Sequence, residues 1–379
     1  MRKPVGWLAD SSGHNDCDDQ PMRYLLTKRV VLFSMATTTL VGGVLLAADA
    51  VGVSNAAVAA VGISAAGSAA APADPHRVLG NQTCVKCHAA EVAVWKQTPH
   101  AKTFDELHRR PEARKIAANL GVQSIKYDGR CVACHYTQQA DAANGHELTA
   151  ISGVSCESCH GPARDWLEVH HDYGGVNVTR QSESPVHRQQ RLQRSVALGM
   201  RNPANLYLMA QSCYRCHTVG DEELVNVGGH TAGSLDFEMV SWSQGLVRHN
   251  FVRSDGKVNE VSSRERLRVM FVAGMIADLE SSLRAVATAT EKATYGLTVA
   301  KRADRAAKRL KSVQAKVNHP RLAEVLKVYG AVKLKLNNQA QLTAAANEVS
   351  KLGYAFAEET DGTDLAGIDP YVPAAKKWK

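Results

Sequence analysis

Four pentapeptides in this chain share one pattern: Cys84-Val85-Lys86-Cys87-His88, Cys131-Val132-Ala133-Cys134-His135, Cys156-Glu157-Ser158-Cys159-His160 and Cys213-Tyr214-Arg215-Cys216-His217. Two thiols one helical turn apart can each add across one vinyl group of the same porphyrin. A histidine directly after the second thiol then lies under the metal and supplies an axial nitrogen. Cys-x-x-Cys-His is therefore the pattern of covalent haem attachment, and chance alone would give roughly 0.01 copies at this chain's Cys and His frequencies. Zinc and thioredoxin-like redox chemistry are the rivals. A zinc site pairs two Cys-x-x-Cys knuckles and has no need of His in the fifth place every time. The spacing predicts four covalently bound haem c groups.

The chain has nine cysteines. The four motifs use eight, leaving Cys17, so the thiols serve cofactors rather than structural disulfides. Each haem has one further axial place, and eleven histidines lie outside the motifs to compete for four places. His100 follows Thr98-Pro99, which reads as N-cap and first residue of a new helix. After that change of direction His100 is poorly placed for the haem on His88 and well placed for another. His170 ends a short helical stretch that follows the third motif. His230 lies in the Gly-rich turn Val227-Gly228-Gly229-His230, where glycine permits close backbone approach to a porphyrin. His249 follows Arg248 late in the haem region. His100, His170, His230 and His249 are the distal candidates. His171 is the neighbour of a better one, and His14, His76, His108, His146, His187 and His319 read as edge or surface residues.

The elements that hold these residues read as mainly α. Short helices are expected at 89–97, 100–109 and 164–170, and a longer basic one over 180–200. The latter carries Arg180, Arg188, Arg191 and Arg194, which are candidates to meet haem propionates. From Ser262 the character changes. Ser262-x-x-Glu265 has the form of a capping box. Apolar residues then recur at helical spacing through Leu267, Phe271, Met275, Leu279 and Leu283. Further helices are expected at about 297–317, 321–336 and 339–358, forming a bundle, with an irregular tail from Gly362. The helix from Val299 to Val317 carries Lys301, Arg302, Arg305, Lys308, Arg309, Lys311 and Lys316, which read as a basic outer face. The net charge of +8 falls in this region, since residues 262–379 carry twenty basic and twelve acidic side chains. Such an imbalance bears on association rather than fold.

Residues 30–48 are apolar and uncharged, preceded by Arg23, Lys28 and Arg29 and followed by a stretch rich in Ala, Gly and Ser. This is the pattern of a secretory signal. The 29 residues ahead of it are long for an n-region, and Met22-Arg23 would make an ordinary start. An uncleaved N-terminal anchor is the competing reading, because about 19 apolar residues can just span a bilayer. The expected division is residues 1–73 as signal or anchor and linker, 74–261 as a tetrahaem domain with few or no strands, and 262–379 as a C-terminal α-helical region.

Residues from about 80 to 251 resemble the tetrahaem cytochrome c-554 family. The resemblance rests on Cys84–His88 with Trp95 and Thr98-Pro99-His100-Ala101-Lys102. It continues in Gly153-Val154-Ser155-Cys156-Glu157-Ser158-Cys159-His160-Gly161-Pro162, the His170 position, Cys213–His217 and Phe237-Glu238-Met239-Val240. The resemblance implies that His88, His135, His160 and His217 are proximal ligands. It implies that His100, His170 and a histidine near His249 are distal ligands of three haems, and that the haem on His135 lacks a distal histidine. His230 has no clear counterpart in the family.

The chain is therefore expected to be an exported, periplasmic electron carrier rather than an enzyme. Its partners would be proteins that donate and accept electrons, with membrane association through the N-terminal segment as an option and no nucleic acid. The alternative is a multihaem oxidoreductase acting on a small nitrogen compound at a five-coordinate haem.

Overall fold

The structure is a computed structural model that describes residues 72–141 and 145–379. The expected signal or anchor, with Cys17 and His14, lies outside the described residues. The fold is mainly α, as the sequence indicates.

The haem-motif half is a string of short helices. The first motif begins at the end of α1 (Asn81–Val85) and is followed by α2 (Ala89–Trp95), α3 (Pro99–Glu106) and α4 (Pro111–Asn119). Thr98 caps α3 by accepting from the Ala101 amide, and Pro99 takes the first helical place, where its missing N–H costs nothing. The second motif closes α5 (Gly129–His135). A two-stranded antiparallel hairpin follows, β1 (Thr137–Asp141) and β2 (Glu147–Ser152), with an irregularity in register between Thr137 and Gln138. The third motif is α6 (Cys156–His160), capped reciprocally by Ser155 and Ser158. Then come α7 (Leu167–His170), α8 (Pro185–Ala197) and α9 (Leu206–His217), which ends in the fourth motif. Two short helices, α10 (Glu222–Asn226) and α11 (Met239–Ser243), lead to the C-terminal part.

That part contains α12 (Arg264–Ala287), α13 (Thr294–Val317), α14 (Pro320–Gly330) and α15 (Gln339–Glu359). Ser263, one residue beyond the expected start, caps α12. The tail from Gly362 is ordered as a 3-10 helix, Thr363–Tyr371, that buries Leu365 and Ile368. Helix α12 is buried on nearly every side from Arg268 to Ala287 and is correspondingly central. It packs on α9, α11, α13, α15 and the 3-10 tail.

One apolar cluster runs from Leu206 to Ile368, so residues on both sides of the expected 261/262 boundary share a single core. Tyr207 and Tyr214 of α9 are fully buried in it. Helix α15 approaches α9 so closely that a Cβ at Gly353 would lie 2.3 Å from the Tyr207 ring. A buried carboxylate also joins the two halves: Glu280 of α12 accepts from Tyr207 Oη at 2.5 Å and Gln211 Nε2 at 2.9 Å.

The basic helix α13 departs from expectation at one position. Lys301, Arg305, Lys308 and Lys311 are exposed. Arg302 is buried, with 2% of its surface accessible, because it lies on the same stripe as Val299, Ala303, Ala306 and Leu310. Two of the expected propionate partners are likewise engaged with carboxylates, Arg180 with Asp255 and Arg191 with Glu183.

Candidate haem centres

Each motif histidine lies beside one of the distal candidates. The ring centroids of His88 and His170 are 6.4 Å apart, those of His217 and His100 6.3 Å, those of His135 and His230 6.3 Å, and those of His160 and His249 6.1 Å. Two metal–nitrogen bonds of about 2.0 Å, with about 1.1 Å from each nitrogen to its ring centre, place two imidazole centroids roughly 6 Å apart across one metal ion. All four spacings fit that arrangement. Among the described residues, no three His, Cys, Asp or Glu side chains converge as a zinc-only site would require.

Local structure explains why the partners come from distant segments. Gly153 lets the chain before the third motif lie against α3: the Val154 amide donates to the His100 carbonyl at 3.1 Å, and a Cβ at Gly153 would meet that oxygen at 2.5 Å. His100 is thus carried away from His88, towards His217. Thr103 Oγ1 lies 2.8 Å from both the His100 and the His135 carbonyls, tying α3 to the second motif. His230 follows Gly229, whose φ of 81° is a left-handed value that glycine adopts without strain.

Five of these rings have their Nδ1 engaged. His160 Nδ1 is 3.3 Å from the Arg201 carbonyl, His217 Nδ1 3.1 Å from Ser234 Oγ, His230 Nδ1 2.7 Å from the Thr231 carbonyl and His249 Nδ1 2.6 Å from the Val247 carbonyl. His170 Nδ1 meets the Leu167 carbonyl. A donor bond from Nδ1 fixes the tautomer and leaves Nε2 with its lone pair, the arrangement a ligating imidazole requires. Burial pushes His135, His160, His170 and His217 down to about 4 and also lowers His100, so these rings are neutral near pH 7. His88 moves upward, because the Glu91 carboxylate lies beside its ring, 3.7 Å from Nδ1.

Seven of the eight motif thiols are free for the same chemistry, whereas Cys87 is disulfide-bonded in the structure, against the expectation that the cysteines form no disulfide. Cys84, Cys131, Cys134, Cys156, Cys159, Cys213 and Cys216 are half-buried free thiols. Burial raises Cys131 and Cys159 to about 11, so they stay protonated. Helix α1, with Cys84 of the first motif, packs on α6 of the third, and α5, which closes in the second motif, packs on α9, which closes in the fourth. Helix α6 also packs on α9. The motifs therefore touch in the order first, third, fourth, second. Arg215, inside the fourth motif, reinforces this by donating to the Ala133 carbonyl at 2.6 Å and to the Ser158 carbonyl at 3.3 Å.

Buried polar atoms without hydrogen-bond partners lie close by. They include Trp166 Nε1 next to His170, Tyr136 Oη after His135, Arg215 Nε, and Arg248 Nε before His249. Such donors suit an anionic group with oxygen acceptors.

The other histidines do different things. His171 hydrogen-bonds the Leu167 carbonyl on the exposed side of α7. His187 pairs with Glu183 at 2.7 Å, and His319 caps α14. His76 and His146 lie near each other at the surface, 5.5 Å between centroids. The sequence reading overlooked the buried pair Arg302 and Asp278. Its signal was available: each is a charge set into an apolar helix stripe, next to the region that carries the fourth motif.

Repeated Cys-x-x-Cys-His turns, each with a second imidazole at metal-bridging distance on a small helical frame, are the arrangement a multihaem c-type cytochrome would require. Residues 83–161 match the family model described as cytochrome c554 and c-prime. The curated cytochrome c-554 of Nitrosomonas europaea is 33% identical over 100 residues, covering 25% of this chain and 43% of that relative. The match thus spans less than half the relative's length. No solved structure matches the chain.

Proposed function

We propose that this protein is a periplasmic tetrahaem cytochrome that carries electrons between a donor and an acceptor protein, with every iron bound by two histidines. The observation that carries the reading is the set of four imidazole pairs at 6.1–6.4 Å. His88, His135, His160 and His217 would be proximal ligands, and His170, His230, His249 and His100 their respective distal ligands. The cysteines of each motif would hold the porphyrin covalently. Haem supplies one-electron chemistry, tuned by axial ligand, burial and hydrogen bonding.

The chain's own part is positioning. Two imidazoles would saturate each metal, so that a change of oxidation state would need no substrate at the iron. Packing of α1 on α6, α6 on α9 and α5 on α9 would bring the groups held by the first and third, third and fourth, and second and fourth motifs close together. The family resemblance alone implied an open place opposite His135; His230 supports the saturated reading there. Export rests on the expected secretory pattern ahead of residue 74 and on the need to attach haem outside the cytoplasm. Among the described residues no helix is long and apolar enough to cross a membrane.

The test is spectroscopic and chemical. Peptide mass spectrometry of the mature protein should find one haem adduct on each of the four Cys-x-x-Cys peptides. The oxidised protein should show only low-spin haem by electron paramagnetic resonance, and the reduced protein should not bind carbon monoxide. Fractionation should place it in the periplasm. A high-spin signal in the wild type would favour the oxidoreductase reading.

A further inference from the structure

We propose that Arg302, on a helix outside the family-matched segment, is a positioning residue for the fourth haem centre, and that with Asp278 it sets that centre's reduction potential. The proposal rests on the reading that Cys213–His217 carries a haem.

Arg302 reaches the proximal histidine through its backbone. Its Nη1 donates to the His217 carbonyl at 2.8 Å and lies 3.4 Å from the Ser234 carbonyl. Ser234 in turn holds the His217 ring, its Oγ 3.1 Å from Nδ1, and its amide donates to the His217 carbonyl at 3.0 Å. Phe237 stacks on that ring at 4.0 Å between centroids. The guanidinium also lies over Tyr214, within the same motif, at 5.6 Å. The contacts from Arg302 Nη1, Ser234 and Phe237 fix the ring and the peptide of the residue expected to bind iron.

The charge arrangement points the same way. Arg302 Nε meets Asp278 Oδ1 at 2.7 Å, and both side chains are almost wholly inaccessible. A buried ion pair is weak evidence for stability, because removing two charges from water costs about as much as their attraction returns. A pair of apolar side chains would fill the space between α12 and α13 as well. What the ion pair adds is a fixed dipole whose cationic end, Arg302, bonds the His217 carbonyl and whose anionic end, Asp278, bonds Arg302 Nε. Partners of a ligating histidine orient the ligand and tune the metal. Burial and nearby charge are among the levers on a haem potential.

Opposite substitutions separate the electrostatic role from simple packing. Oxidised iron carries one more positive charge than reduced iron, so loss of a nearby cation favours oxidation and loss of a nearby anion opposes it. In potentiometric titrations of the holoprotein, Arg302→Met should lower the midpoint of one haem and Asp278→Asn should raise it, leaving the other three in place. Arg302→Lys keeps the charge and should return the midpoint towards wild type. Shifts of the same sign in the first two variants, or no shift, would overturn the proposal. Should either single variant fail to accumulate, the double variant Arg302→Leu/Asp278→Leu removes both charges with the volume kept. It should alter the paramagnetic resonance of one low-spin haem, and four unaltered signals would again overturn the proposal. Haem on the Cys213–Cys216 peptide is checked by mass spectrometry in each case. Its absence in the wild type would defeat the underlying reading instead.

Discussion

His135 and His230 face one another with ring centroids 6.3 Å apart, although 94 residues separate them in the chain. His230 is held by its own turn: its amide donates to the Leu224 carbonyl at 3.1 Å, and its Nδ1 meets the Thr231 carbonyl. The turn is fastened to α4 by Asn119 Nδ2, which donates to the Gly228 carbonyl at 3.1 Å. His230→Ala should therefore remove one axial nitrogen and leave the fold intact. The expected outcome is one new high-spin haem that binds carbon monoxide when reduced, seen by absorption and paramagnetic resonance. A wild type that already has a high-spin haem, unchanged in the variant, would show that His230 is not a ligand.

Acid should loosen the His170 segment first. Glu183 is paired with Arg191 at 2.6 Å and with His187 at 2.7 Å, and the Arg191 hydrogen bond holds its carboxyl below the usual 4.5. Arg191 also donates to the His170 carbonyl at 2.6 Å. A carboxyl with a depressed folded pKa contributes stability that is fully present above its unfolded value and is lost as pH falls through the folded one. Glu183→Gln should thus destabilise the protein at pH 7 and converge with wild type below pH 4.5. Denaturant midpoints measured across that range check this; a gap that stays constant with pH would contradict it.

A chain ending at residue 261 should not persist as a soluble tetrahaem domain. Truncation would strip α12 and α15 from α9 and expose Tyr207, Tyr214 and Val240, all buried to 1% or less. Burying one large apolar side chain is worth about 1.5–3 kcal/mol, and a whole domain is stable by only about 5–15 kcal/mol. The expected result is aggregation, or loss of haem from the Cys213–Cys216 peptide. Recovery of a soluble protein with four haems would restore the picture of two independent domains.

The sequence disclosed the chemistry more fully than the packing, for a physical reason. A haem motif is local, so four pentapeptides name their twelve residues outright. Helix caps are local too, which is why Thr98-Pro99 could be placed and the start of α12 missed by a single residue. Which distal ring meets which motif is a non-local matter. His100 could be excluded from His88 by the direction of α3, but nothing in the chain order indicates His217 as its neighbour. The hairpin at 137–152 was not foreseen, since Gln138, Gln139 and Glu147 give no alternation of apolar and polar residues. Arg302 was read as a surface charge because seven basic residues on one helix suggest a solvated face. Its position three residues after Val299 and four before Ala306 sets it on the buried stripe instead.

Glu157 offers the most direct test of how the first and third motifs are joined. It occupies the second place of the third motif and is buried, with 1% of its surface accessible. Its carboxylate accepts three backbone amides: Leu79 at 2.9 Å and Gly80 at 2.7 Å, just ahead of the first motif, and Ala163 at 2.8 Å, just beyond the third. Hydrogen bonds to a charged group are worth about 1.5–3 kcal/mol, and a buried donor left unpaired costs a comparable amount. Glu157→Gln keeps the shape but replaces one acceptor oxygen with an NH2 group that confronts an amide N–H. Its cost should be about 2–4 kcal/mol, read as a lower denaturant midpoint with an unchanged slope. The first and third motifs, held side by side where α1 packs on α6, should lose their register. The variant should accordingly mature with incomplete haem attachment at the first and third motifs and full attachment at the second and fourth. Equal losses at all four would mean that Glu157 supports the fold in general, and no loss would mean that the two motifs are held together by other contacts.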